Sequence, residues 1–220
     1  MRPRLMTVYH YTVIERPESS VITPRDEDPS METVDYKRQP SVTSLRTAIE
    51  TAGGMSCGIF RGGMFGLTTT QVASLSAWTD IELARTSIAT YCQHESLNLI
   101  VQKPLSATVR PTKTEPITQP GIYVIRWIRM RGADVAEYTS LCLDTWPAFE
   151  AASAARCYGV FRVDDYSEPG LLLMLTWYEN LRAWEQSRQL NKRDAKLWVR
   201  RSQMEISHWA QAGRLELGAR

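Results

Sequence analysis

The sequence predicts an α+β chain made of two copies of one β-α-β-β-α-β unit, folded against each other as a single barrel with the helices outside. Three observations predict it. The string Gly58-Ile59-Phe60-Arg61 returns as Gly159-Val160-Phe161-Arg162, and each copy leads through a loop into an apolar strand, a Trp and a helix start. The strands are apolar on both faces, and Leu171 to Leu175 is an unbroken apolar run, as in a strand covered on both sides. Between the copies lies Arg110 to Pro120, with three prolines and four Thr or Gln positions, which reads as a linker.

The 220 residues carry 26 Lys+Arg against 24 Asp+Glu, a formal net charge of +2, and 43% are hydrophobic. At roughly 100–200 residues per domain this is one large or two small units, each able to bury a core. The near-neutral balance excludes a polycation that coats nucleic acid. No apolar run of about 20 residues is present, which excludes a transmembrane helix. The start, MRPRLMTVYHYT, lacks the apolar core of a secretory signal. Cys57, Cys92, Cys142 and Cys157 form no CxxC pair, so free buried thiols in a reducing cytoplasm are expected, and no zinc.

The first strand is Thr7 to Glu15, rich in β-branched and aromatic residues, and Gly121 to Arg131 is its counterpart, with Tyr9 matching Tyr123. Arg16 to Pro40 replaces a short loop with an insertion carrying four prolines and ten charges, a lid or a disordered segment. A helix starts at Ser44, with Leu45, Ala48, Ile49 and Ala52 on one face and Gly53-Gly54 as its stop. Its counterpart spans about Ala133 to Ala152, where Pro147 should kink or break it. The repeated string opens the second strand, and a Gly-rich turn at Gly62–Gly66 leads to the third, Gln71 to Trp78. Leu171 to Trp177 answers it, so Trp78 pairs with Trp177 and the repeat offset falls from 101 to 99. Asp80 caps a helix with Ile81, Ala84, Ile88 and Tyr91 inward. Asn180 caps one longer stretch with Leu181, Trp184, Leu197 and Trp198. Fourth strands follow at Leu97 to Val109, where Pro104 implies an edge or a break, and at about His208 to Leu217. Each half is thus ferredoxin-like. Residues 1–110 form the first half, with its insertion at 16–40, 111–120 the linker, and 121–220 the second half. The chain would be its own pseudo-dimer, an α/β barrel.

The segment Leu175 to Glu185, LTWYENLRAWE, with the later Trp198, Arg200 and Arg201, resembles the NIPSNAP group of the dimeric α/β-barrel superfamily. The match is best over Gly121 to Gly213; the first half keeps Trp78 but lacks the following Tyr and the second Trp. The resemblance implies the barrel fold and carries no shared catalytic motif. The wider superfamily includes cofactor-free monooxygenases, haem-binding enzymes, and cyclases or dehydratases, so function has to be read from a site.

Strand alternation supplies a candidate. Val8, His10, Thr12 and Ile14 share one face of the first strand, and Tyr9, Tyr11 and Val13 the other. Val124 and Arg126 match His10 and Thr12, Tyr123 and Trp127 fall on the aromatic face, and Ser74 and Ser76 alternate on the third strand. Polar groups converging in an apolar wall are the mark of a ligand site, expected here on a cavity inside the barrel. His10 is the candidate acid or base and Arg126 the candidate holder of a carboxylate or enolate oxygen, both catalytic. Thr12, Tyr9, Ser74, Ser76, Trp127 and Tyr178 are the candidate substrate-binding residues. The alternative is a hydrogen-bonded core histidine and an arginine that reaches the surface. Arg61 and Arg162, at equivalent hairpin positions, read as strand-end charges for carboxylates such as Asp164 or Asp165, or as paired anion contacts. The basic residues from Arg188 to Arg201 spread round a helix, a solvated face. His94 and His208 lack partners at metal spacing, and Gly62–Gly66 lacks the Lys-Ser/Thr of a phosphate loop.

The reading is a metal-free enzyme for a hydrophobic small molecule bearing an oxyanion or carbonyl, with no cofactor. One axial His suffices for haem, so haem stays open. The alternative is a non-catalytic ligand-binding or assembly module, which a solidly packed barrel interior would favour. A homo-oligomer in the cytoplasm is expected, with no nucleic-acid or membrane partner.

Overall fold

The computed structural model describes residues 7–17, 39–188 and 195–217. The chain runs β1 (Val8–Glu15), α1 (Val42–Thr51), β2 (Met55–Arg61), β3 (Gln71–Trp78), α2 (Ile81–His94) and β4 (Asn98–Arg110). It continues with β5 (Ile122–Arg129), a 3-10 turn (Gly132–Asp134), α3 (Val135–Ala152), β6 (Ala155–Val163), β7 (Leu171–Tyr178), α4 (Leu181–Arg188), α5 (Ala195–Met204) and β8 (Ser207–Leu215). Most of the Arg16–Pro40 insertion lies outside the described residues.

The strands close into one antiparallel barrel in the order β1-β3-β2-β8-β5-β7-β6-β4. Counted from the start of each half, both runs of four have the order 4-1-3-2. They join at β4–β6 and at a short β2–β8 ladder of Phe60 on Leu215 and Arg61 on Arg214. Both halves carry a bulge at the same place, between Ser56 and Gly58 and between Cys157 and Gly159. The registers correct one expectation. Tyr9 lies opposite Ala77 and Tyr123 opposite Trp177, so Trp78 corresponds to Tyr178, not to Trp177. The offset falls from 101 to 100, because the two hairpin loops differ by a single residue.

Alternation along the strands sorts side chains into two layers. Tyr9, Tyr11, Val13, Phe60, Leu75, Tyr123, Ile125, Trp127, Phe161 and Leu173 meet inside the barrel in one core. Ile14, Val72 and Trp78 face outward beneath Leu45 and Ile49 of α1 and Ala84 and Ile88 of α2. Ile128, Val160 and Leu172 face Tyr138, Cys142 and Trp146 of α3. Ser41, not Ser44, begins α1, its side chain accepting from Ser44 N at 3.2 Å. Asp80 caps α2 with bonds from Glu82 N and Leu83 N.

Both prolines expected to interrupt an element are tolerated. Pro147 sits inside α3, on its exposed face beside Leu143 and Asp144, where the ring and the carbonyl it strands meet water. Pro104 lies in a strand paired on both sides, since the closed barrel leaves β4 no free edge. Its carbonyl accepts from Asp164 N at 2.9 Å, so its nitrogen also points toward β6, just before that ladder starts at Leu105. The long helical stretch expected after Asn180 is seen as α4 and α5, with residues 189–194 outside the described residues.

The segment 111–120 is no free linker. It folds as a strap across one barrel mouth. Ile117 is buried in the interior core and its N–H donates to Cys57 O at 2.7 Å. Tyr9 and Thr114 share a hydroxyl pair at 3.0 Å. Tyr123 donates to Gln119 O at 2.8 Å, Tyr158 to Glu115 O at 3.2 Å and the Trp177 indole to Pro120 O at 2.8 Å.

Candidate functional site

Four of the predicted site residues come together. Register places His10 opposite Ser76 and Thr12 opposite Ser74, all on one face of β1 and β3 and all essentially buried. That face is the outer one, under α2, which packs on β1, β3 and β4. The expectation that these residues line the barrel hollow is corrected. The larger rings of Tyr9, Tyr11 and Trp127 take the interior instead and fill it.

His10 Nδ1 lies 3.3 Å from Thr12 Oγ1, and His10 Nε2 has no hydrogen-bond partner among the described residues. The Ser74 hydroxyl is also buried without one among them. Ser76 is satisfied, donating to His10 O at 3.4 Å and accepting from the Trp78 indole at 2.8 Å. Burial lowers the His10 pKa to about 4, helped by the positive charge of Arg85 on α2, so the imidazole is neutral at pH 7.

The remaining predicted residues lie elsewhere. Arg126 is half-buried on the outer face of β5, with three strands between it and β1 either way round, so His10 and Arg126 cannot meet on one substrate. Tyr9 and Trp127 belong to the interior, Tyr9 edge-on to Phe161 and Trp127 edge-on to Tyr11. Tyr11 OH and the Trp127 indole both donate to Gln211 Oε1, at 2.8 and 3.2 Å, a polar node the sequence did not suggest. Tyr178 faces outward, edge-on to Phe149 of α3. Arg61 pairs with Glu216 at 2.7 Å and Arg162 with Asp164 at 3.3 Å, so the hairpin arginines are strand-end charges on carboxylates. Of the basic run, Arg201 is an exception to a solvated face. It is buried, donates to Thr145 Oγ1 at 3.2 Å and stacks over Trp198.

The second half offers an internal comparison. Val124 stands where His10 does, Met174 where Ser74 does and Thr176 where Ser76 does. The same face of the same architecture therefore packs with apolar side chains at two of those positions.

The four cysteines are free and buried. Burial pushes the thiols up, Cys57 to about 12 and Cys92 and Cys142 to about 11, so none is a thiolate nucleophile at neutral pH. No described group of three His, Cys, Asp or Glu could hold a metal ion. Haem does not fit the described histidines. His94 and His208 are exposed beside Glu95 and Glu205, and His10 is sealed under α2. No described helix is long and apolar enough to cross a membrane.

No family model and no curated protein matches this chain. Solved structures do. An anthrone oxidase-like protein matches with a TM-score of 0.61 and 11% identity, covering 96% of this chain and 91% of its own. A chlorite dismutase variant from Candidatus Nitrospira defluvii matches at 0.60 and 6%, covering 96% and 92%. A monooxygenase-like protein from Fusobacterium nucleatum subsp. nucleatum ATCC 25586 matches at 0.56 and 7%, covering 96% and 92%. A NIPSNAP family protein from Agrobacterium tumefaciens str. C58 is also among the neighbours, at 19% identity over 52% of this chain and a TM-score of 0.37. The fold is that of the dimeric α/β-barrel proteins, here with eight strands in one chain.

Proposed function

We propose that this chain is a metal-free small-molecule enzyme of the dimeric α/β-barrel class, with its site between β1–β3 and the α1–α2 layer. The carrying observation is the internal comparison: His10 and Ser74 bury two unpartnered polar atoms where Val124 and Met174 bury none. An unmet buried polar atom costs about 1–3 kcal/mol, so the first half gives up stability its own copy retains. Function is the reason such groups persist.

The chemistry follows from the two free atoms. We assign the ring proton to Nδ1, 3.3 Å from Thr12 Oγ1, which leaves Nε2 a neutral base held in an apolar layer. Ser74 is a hydroxyl donor two residues along the neighbouring strand from the position facing His10. Together they suit removal of a proton beside a carbonyl, the proton passing to Nε2 and Ser74 steadying the oxygen. The substrate is then an apolar molecule bearing a carbonyl or oxyanion. Since His10 is sealed, turnover requires the α1–α2 layer to part, which amide exchange in those helices would reveal. The test is mass spectrometry of small molecules that co-purify with wild type and with His10→Val. A compound retained by wild type and lost from the variant supports the assignment; identical contents refute it.

The filled interior favours a second reading, a binding or assembly module in which the barrel is scaffold alone. A retained compound that wild type never converts would select it. We also infer that the halves are tandem ferredoxin-like repeats, supported by their shared strand order and matching bulges. Homo-oligomerisation is proposed on the likeness to dimeric barrels, and a cytoplasmic setting on the free thiols.

A further inference from the structure

A cavity of about 430 Å³, which His10 does not line, lies at the barrel mouth between the strap and the ends of β5, β6 and β7. Its size falls within the range of small-molecule sites. Tyr123, Tyr158 and Trp177 line it, and each spends its polar atom on a strap carbonyl. The rings are thereby fixed in orientation, so the aromatic wall is already organised before anything binds.

The charges around that wall divide into two sets. Arg110 is committed, donating to Glu150 at 2.7 Å and to Cys157 O at 3.1 Å. Lys113, Arg156 and Glu115 also line the cavity, and no side-chain ion pair joins any of them to a described residue. Two uncommitted cations against one uncommitted carboxylate leave a surplus of one positive charge beside an aromatic wall. A guanidinium and an ammonium on the same rim suit a carboxylate, which the pair can grip from two sides.

We propose that this strap-covered mouth is a ligand site of its own, taking a small monocarboxylate with a flat aromatic body. The site is independent of the His10 cluster. The strap supplies Lys113 and Glu115, and β6 supplies Arg156 and Tyr158, so the ligand bridges the segment joining the halves to the second half itself.

The experiment uses three probes with one ring system and different charge: indole-3-acetate, indole-3-acetamide and tryptamine. Each is titrated into the full chain by calorimetry and by amide NMR. The expected result is binding of indole-3-acetate with shifts confined to the strap and the adjoining ends of β5, β6 and β7. The amide and the amine should bind about tenfold more weakly or not at all, and Lys113→Gln with Arg156→Gln should weaken the acid by about tenfold. His10→Val should leave that binding unchanged. Equal affinity for all three probes, insensitivity to the double substitution, shifts elsewhere, or no binding of the acid would each overturn the proposal.

Discussion

Replacing His10 by Val and Ser74 by Ala removes two buried polar atoms that have no partner. The exchange nearly conserves the volume of the larger side chain and places at position 10 the residue the second half has at Val124. Each unmet atom costs about 1–3 kcal/mol, so their removal returns about 2–6 kcal/mol before losses. Against this stands the bond between His10 Nδ1 and Thr12, long at 3.3 Å, whose loss leaves the Thr12 hydroxyl unmet at about 1–2 kcal/mol. The Ser76 bonds survive, since they use the His10 carbonyl and the Trp78 indole. The double variant should therefore be as stable as wild type or up to about 5 kcal/mol more stable. Urea denaturation reads this as an unchanged slope and an equal or higher midpoint. A loss of more than about 2 kcal/mol would mean that the cluster holds the fold together, and the case for a site kept at the expense of stability would fail.

Acid stability gives a second expectation. The folded His10 pKa of about 4 lies below its ordinary 6.5, so the unfolded chain binds the proton more readily. Its contribution is complete above pH 6.5 and is lost as pH falls toward 4, by about 3 kcal/mol; His10→Val should lack that part of the slope. Pro147→Ala should raise stability by about 1–3 kcal/mol in thermal melts, because it restores a helical N–H on an exposed face. Ile117→Ala should cost about 2–4 kcal/mol and loosen the strap, seen as faster amide exchange at residues 112–119. Gly170→Ala, in the β6–β7 hairpin, should be severely destabilising, since its Cβ would fall 1.9 Å from Met130 O just after β5.

The strands were legible because β-branched and aromatic alternation needs no tertiary knowledge, and Gln71–Trp78 falls where the sequence puts it. The face that turns inward was not legible. Both faces of β1 are buried, one by helices and one by the barrel, so hydrophobicity alone does not choose between His10 and Tyr11. Closure of the barrel decides, with the bulky Tyr11, Tyr123 and Trp127 filling the wide interior. The same closure separates His10 from Arg126, which lie on the same face of corresponding strands but on opposite walls of the barrel. The prolines misled because their cost depends on where the missing N–H points, and at Pro104 it points past the end of a ladder. The strap was invisible for a related reason. Its bonds come from Tyr9, Tyr123, Tyr158 and Trp177, residues distant in sequence that only the fold brings to one rim.

The most direct measurement is the nitrogen NMR of His10 across pH 4 to 8. A proton fixed on Nδ1, a bare Nε2, and a ring still neutral at pH 5 are the expected results. A proton resident on Nε2, or titration near the ordinary 6.5, would contradict a buried base at this site.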